Sequence, residues 1–337
     1  LPDRAKRSKP ARAALVGAGN VSPSGYKGDF VRVRAVLTAV LALALTSGVA
    51  HGAPAGDSCT GTALPHDGLP GAVALLETGP GDFLGRWQDR LVRWHNGVQS
   101  TTSLPDGLSL QGLAGAAGTG RAVGAVGDPK AAIGVQDGQA TKLTMPTGVV
   151  TSWAVGINRA GDIAIEGTDP SRTQPRYFAW PVGQSSPVEV LTHANQFLAL
   201  HGIADDRRLL LDWAADDGHT RAATFLGGGA TLLELPEGST DSWSTAVAGS
   251  WIIGKVGDDQ SVAWDPSGAV HLLPADFDAT SVNRSGLVAG DDHGRASVWS
   301  PDGEVRQLPT GSQVFSAADD GVLVGADDGV PTTWTCQ

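Results

Sequence analysis

The side chains best placed to do chemistry in this 337-residue chain are four of its six aspartate doublets: Asp216-Asp217, Asp258-Asp259, Asp291-Asp292 and Asp327-Asp328. Carboxylates at that density can ligate calcium, split a glycosidic bond as an acid–base pair, or attract a cation. Calcium needs six or more oxygens converging from several segments, and no Asp-x-Asp-x-Asp loop occurs. The eight histidines include no His-x-His or His-x-x-x-His pair, so no metal site is expected. Acidic residues from distant segments can approach at about 5–9 Å, as a glycosidase requires, yet nothing in the order of residues selects a pair. There is no G-x-S-x-G elbow for a nucleophile. The glycine motifs precede no helix, so they are not phosphate loops and no cofactor is expected. Turn formation alone accounts for the doublets, because aspartate tolerates φ > 0.

Charge and the N-terminal stretch bound the setting. Residues 1–55 hold eight Lys/Arg and two Asp/Glu, which leaves 16 basic against 33 acidic residues in 56–337, a net charge of −17. Nucleic-acid binding needs a basic footprint and is not expected; a cationic partner suits this balance. Val31-Arg32-Val33-Arg34, the apolar run Ala35 to Leu45 and Ala53-Pro54-Ala55 have the layout of a secretory signal peptide over 31–55. No other apolar run approaches spanning length, so no membrane span is expected. Residues 1–30 precede that signal without a Met, and are read as an untranslated upstream segment with Val31 as the start. The expectation is a secreted monomer with a single domain over 56–337.

The doublets follow a repeated marker, Gly-x-Φ-Φ-Gly with Φ apolar. It occurs at Gly81–Gly85, Gly120–Gly124, Gly286–Gly290 and Gly321–Gly325, with longer variants at Gly161–Gly167 and Gly249–Gly254 and a degenerate copy at Arg207–Asp212. A second strand follows each marker and ends in an aromatic: Trp94, Trp180, Phe225, Trp264, Trp299 and Trp334, with Gly134 in that place in the second unit. Successive spacings are 40, 46, 45, 39, 35 and 35 residues, and counting round the ends of 56–337 gives 42. A gap across the termini equal to one repeat is what a closed ring requires. Each unit supplies four short strands separated by Asn, Asp-Gly or Pro-Asp-Gly turns. The predicted fold is all-β, a seven-bladed β-propeller of four-stranded blades.

The segments GINRAGDIAIEG with RYFAW, and SVNRSGLVAG with ASVW, resemble the HAF-type extracellular repeat, which repeats an I-N-x-x-G turn, a V-V-G strand and an A-F-x-W strand. The resemblance covers about residues 72–336 and is best in units three, six and seven. It implies a secreted, propeller-like bacterial protein and carries over no functional residue.

The seventh unit ends one strand short, at Trp334-Thr335-Cys336. Thr62-Ala63-Leu64-Pro65 supplies the missing strand, so both termini build the last blade. Aligned on the sixth unit, Cys59 and Cys336 take the places of Gly303 and Pro301, the i+2 and i positions of a hairpin turn. A disulfide about 5.5–7 Å long between Cα atoms then replaces that turn.

In such a blade the turn between strands two and three shares a face with the unit-to-unit loops. That rule collects the four doublets, with Asp128 and Asp169, on one rim, and places Trp153, Trp243 and Phe315 near it. An acidic rim with aromatics suits a cationic or glycan partner. The reading is a non-enzymatic binding or scaffold module. The alternatives are a propeller hydrolase or lyase acting on an extracellular polymer, and a structural envelope protein.

Overall fold

The computed structural model describes residues 59–170, 175–190, 196–257 and 259–336. The upstream segment 1–30, the signal segment 31–55 and Asp258 lie outside the described residues. Seven antiparallel four-stranded sheets are present among those described, six of them meanders of four consecutive strands. Blades 1 to 6 span 73–102, 110–142, 151–189, 197–232, 242–272 and 277–307. Blade 7 joins 312–335 to the N-terminal strand Thr60–Ala63. Beyond strands and turns there is only one 3-10 turn, Pro105–Gly107, among the described residues, and no helix there is long and apolar enough to cross a membrane.

The apolar core lies between the blades, so the axis stays open. Each of seven buried clusters straddles one seam. Leu84 and Leu91 of blade 1 meet Leu110 and Ile133 of blade 2; Ala289 and Val298 of blade 6 meet Leu323 and Trp334 of blade 7. Trp94, Trp264 and Trp334 are at most 1% exposed. Burying one such ring removes roughly 150–250 Å² from water, on the order of 4–6 kcal/mol. The repeat-marking tryptophans are therefore seam packing. In blade 2 the equivalent residue is Val135, one beyond Gly134: Ala122 faces Val135 as Leu323 faces Trp334.

Asparagine in the turn after the first strand stitches one blade to the next. Asn283 Oδ1 accepts from the Ser285 and Leu287 amides at 3.0 and 2.9 Å, while its Nδ2 donates across the seam to the Ala318 carbonyl at 2.7 Å. Asn158 repeats the pattern, bonding to the Asp162 amide and to the Ala204 carbonyl of blade 4. Both side chains are buried, where a lost hydrogen bond costs most. That is the physical content of the I-N-x-x-G turn.

Ring closure follows the expected pairing. Thr60 faces Thr335, Gly61 faces Trp334 and Ala63 faces Thr332. Cys59 and Cys336 are the next facing pair on the same ladder and form a disulfide with Cα atoms 4.0 Å apart. The separation is shorter than expected because facing ladder residues, not the ends of a turn, set it.

Candidate functional site

Every blade carries the same irregularity in its first strand, a one-residue slip against the second strand. The extra residues are Leu75, Ala114 and Val155 in blades 1–3, His201, Thr245 and Thr280 in blades 4–6, and Phe315 in blade 7. A bulge leaves one residue unpaired and re-aims its side chain. Here all seven line a single axial channel of about 590 Å³. The belt has two sides, apolar on blades 7, 1, 2 and 3 and polar on blades 4, 5 and 6. In five blades the residue opposite the one preceding the bulge is a glycine: Gly85, Gly124, Gly254, Gly290 or Gly325. A Cβ on any of them would lie 1.9–2.3 Å from a carbonyl oxygen of the first strand. In these five blades the first-strand carbonyl occupies the space a Cβ would need, so the local approach of the two strands requires glycine there. Blades 3 and 4 hold Ile165 and Leu211 at that position.

The channel reaches the turns between strands one and two. There Arg284 of blade 6 reaches past blade 5 to Asp205 of blade 4, Nε to Oδ2 at 2.8 Å, and also pairs with Asp319 of blade 7. Gly249 lies under that crossing: a Cβ there would sit 3.1 Å from Arg284 Cγ. Burial works against the Arg284 charge, but the two aspartates outweigh it and raise its pKa. Burial likewise opposes the Asp205 charge, yet bonds from Arg284 and the Arg159 amide hold its pKa below the usual range.

At the seam of blades 7 and 1, Glu77 lines the same mouth beside Asp320. Burial, then the neighbouring Asp320 carboxylate, pushes its pKa to about 8. A carboxyl whose folded pKa exceeds its unfolded value stabilises the fold while protonated, and that contribution fades as pH rises from about 4.5 to 8. The denaturation midpoint should therefore fall between pH 5 and 9, and Glu77→Gln should flatten that fall. Parallel profiles for parent and variant would show that Glu77 does not titrate this way.

Away from that mouth, His201 Nε2 lies 2.9 Å from Asp212 Oδ2, and Asp212 Oδ1 accepts from the Ser244 amide and hydroxyl. The serine donates to the carboxylate rather than to the imidazole, so this is not a nucleophilic triad. Burial raises the Glu166 pKa to about 7, with His201 and Lys130 pulling it back.

Asp216, Asp217, Asp259 and Asp328 lie in turns between strands two and three, and Asp291, Asp292 and Asp327 end the second strand just before such a turn, on the face opposite the Arg284 mouth. Asp217 accepts from the His219 amide, Asp291 from the Gly294 amide, and Asp327 from the Ser312 hydroxyl. Asp216 accepts from Gln196, and Asp292 from Gln307 and His293. Asp259 and Asp328 take positive φ in their turns. Trp153 faces Glu166, with Lys130 Nζ 5.4 Å from its ring centroid; Trp243 faces Lys255. Of the three aromatics singled out in the sequence, Phe315 is the one lining the channel. Sequence reasoning did not reach His201, Thr245, Thr280, Asp205, Arg284 or Glu77. The glycine facing a bulge was the available signal for the belt.

No protein-family model matches the chain, and no curated protein is similar to it. Among solved structures it is similar to the extracellular domain of a protein from B. thetaiotaomicron described as a hybrid two-component system. That likeness has 10% identity and a TM-score of 0.52, covering 83% of this chain and 40% of that one. An extracellular domain from the same organism, described as a one-component system, aligns at 10% identity and TM-score 0.49, over 83% and 40% of the two chains. TolB from Acinetobacter baumannii aligns at 11% and 0.45, over 79% and 64%. The first likeness bears on the fold alone, and the chain spans less than half of that neighbour. The fold and channel define a seven-bladed β-propeller with a closed, disulfide-joined last blade.

Proposed function

We propose that the chain is an exported, non-enzymatic propeller binding module that engages an extracellular ligand at its axis. The observation carrying this reading is the convergence of one bulged residue from each of seven blades on a single channel. The same one-residue bulge recurs in all seven first strands and each time brings the unpaired side chain to the channel. The terminal disulfide suits an oxidising compartment, in keeping with the signal-like segment 31–55. The acidic rim is a second surface of the same module, suited to a cationic partner, with the Asp217, Asp259 and Asp328 carboxylates exposed.

The rival is a hydrolase or lyase, favoured by Glu166, whose near-neutral pKa close to His201 suits proton transfer. Residues 56–337 should be tested against glycans, cell-wall polymers and polyamines, with turnover measured in parallel. Saturable binding without product is expected. Turnover abolished by Glu166→Gln would replace this reading with the rival. Changing the doublets to asparagine, and separately Trp153 and Trp243 to alanine, tests the rim: polyamine binding unchanged in both would remove it.

A further inference from the structure

We infer that the axial channel seats one neutral pyranose ring, stacked on Phe315; this deepens the binding-module reading and rests on it. Size is the first argument. A channel of about 590 Å³ lies within the range of small-ligand sites and admits a monosaccharide with a few waters.

The belt supplies the second. Phe315 is 36% exposed although it lines the channel wall, and no aromatic ring stacks on it among the described residues. Leu75 and Val155 continue its apolar side. Facing them are His201, Thr245 and Thr280 on three consecutive blades. Thr280 donates its proton to the Ala289 carbonyl at 3.1 Å, which leaves its oxygen to accept. The Thr245 hydroxyl makes no hydrogen bond to a described residue. Beside Phe315, Ser316 is buried, and its Oγ has no partner among the described residues; the ligand's polar contacts are therefore assigned to the exposed hydroxyls of the belt. A pyranose has this same division, C–H groups across its face and hydroxyls round its edge.

Charge is the third. Arg284 is matched by Asp205 and Asp319, and His201 by Asp212. Glu77, with its raised pKa, is largely protonated at neutral pH. Arg159 and Asp320 also line the wall, so two arginines stand against Asp205, Asp319 and Asp320 and the charges nearly cancel, which favours a neutral ligand over a strongly charged one.

The test is a calorimetric titration of residues 56–337 with methyl glucopyranoside, methyl galactopyranoside and N-acetylglucosamine, alongside glucuronate and putrescine. At least one neutral pyranose should bind saturably. Phe315→Ala should weaken it about fivefold to tenfold, Phe315→Trp should retain it, and Thr280→Val should weaken it about threefold. Val98→Thr, on the exposed outer strand of blade 1, should leave it unchanged. Absence of binding by all three neutral sugars up to about 10 mM, or parent-like binding by folded Phe315→Ala, would overturn the inference. Putrescine or glucuronate binding that needs Phe315, without sugar binding, would overturn the ligand class and leave the binding-module reading standing. A pyranoside bound through Phe315 and also cleaved would uphold the site and overturn that reading.

Discussion

Gly325→Ala should destabilise the ring by about 3–5 kcal/mol, among the largest effects of any single-methyl addition here. The new Cβ would lie 1.9 Å from the Gln313 carbonyl oxygen and 2.9 Å from its carbon. Both atoms are backbone of the strand that carries Phe315, so no rotamer change relieves the overlap. Relief requires the first strand of blade 7 to lift, which disturbs the seam to blade 1 and the channel belt together. Gly112→Ala is the internal control: it lies in the first strand of blade 2, its φ is not in the left-handed region, and a Cβ there meets nothing within 4 Å. It should stay within about 1 kcal/mol of the parent. Chemical denaturation of the pair decides the matter, and similar midpoints for both variants would refute the steric account.

Replacing Cys59 and Cys336 together by serine should cost on the order of 5 kcal/mol. Closing a loop of 277 residues removes that much chain entropy from the unfolded state, an upper bound because denatured chains retain some structure. The midpoint of thermal unfolding should drop by roughly 10 °C. The four-residue strand Thr60–Ala63 is solvent-exposed along its length, so little apolar burial holds it once the bond is gone. Leu64 and Leu69 in the seam to blade 1 keep the following segment in place. An unchanged midpoint after reduction would show that those contacts alone close the ring.

The architecture was legible because its causes repeat. Gly290 and Gly325 recur at one spacing since a carbonyl of the neighbouring strand fills the place of each one's Cβ, and Trp264, Trp299 and Trp334 recur since each fills a seam. Counting round the termini then placed Cys59 opposite Cys336. The site was less legible for the converse reason. A bulged residue has no characteristic type, as Leu75, Val155, His201 and Thr280 show, so the belt left no trace in composition. Arg284 and Asp205 meet across 79 residues, a pairing that the curve of blades 4 to 6 about the axis creates and no local pattern announces. Phe315 was picked out for lying near a connecting loop, and the bulge then turned it to the axis. The doublets were legible as turns, and their amide and side-chain partners are largely what turns provide.

The disulfide also has a mechanical meaning. Tension applied between the chain before Cys59 and the chain after Cys336 passes through two adjacent residues and one covalent bond. None of the seven seams carries that load. A molecule pulled this way keeps its channel at forces that would peel an unbridged ring open blade by blade, from the exposed strand Thr60–Ala63 inward.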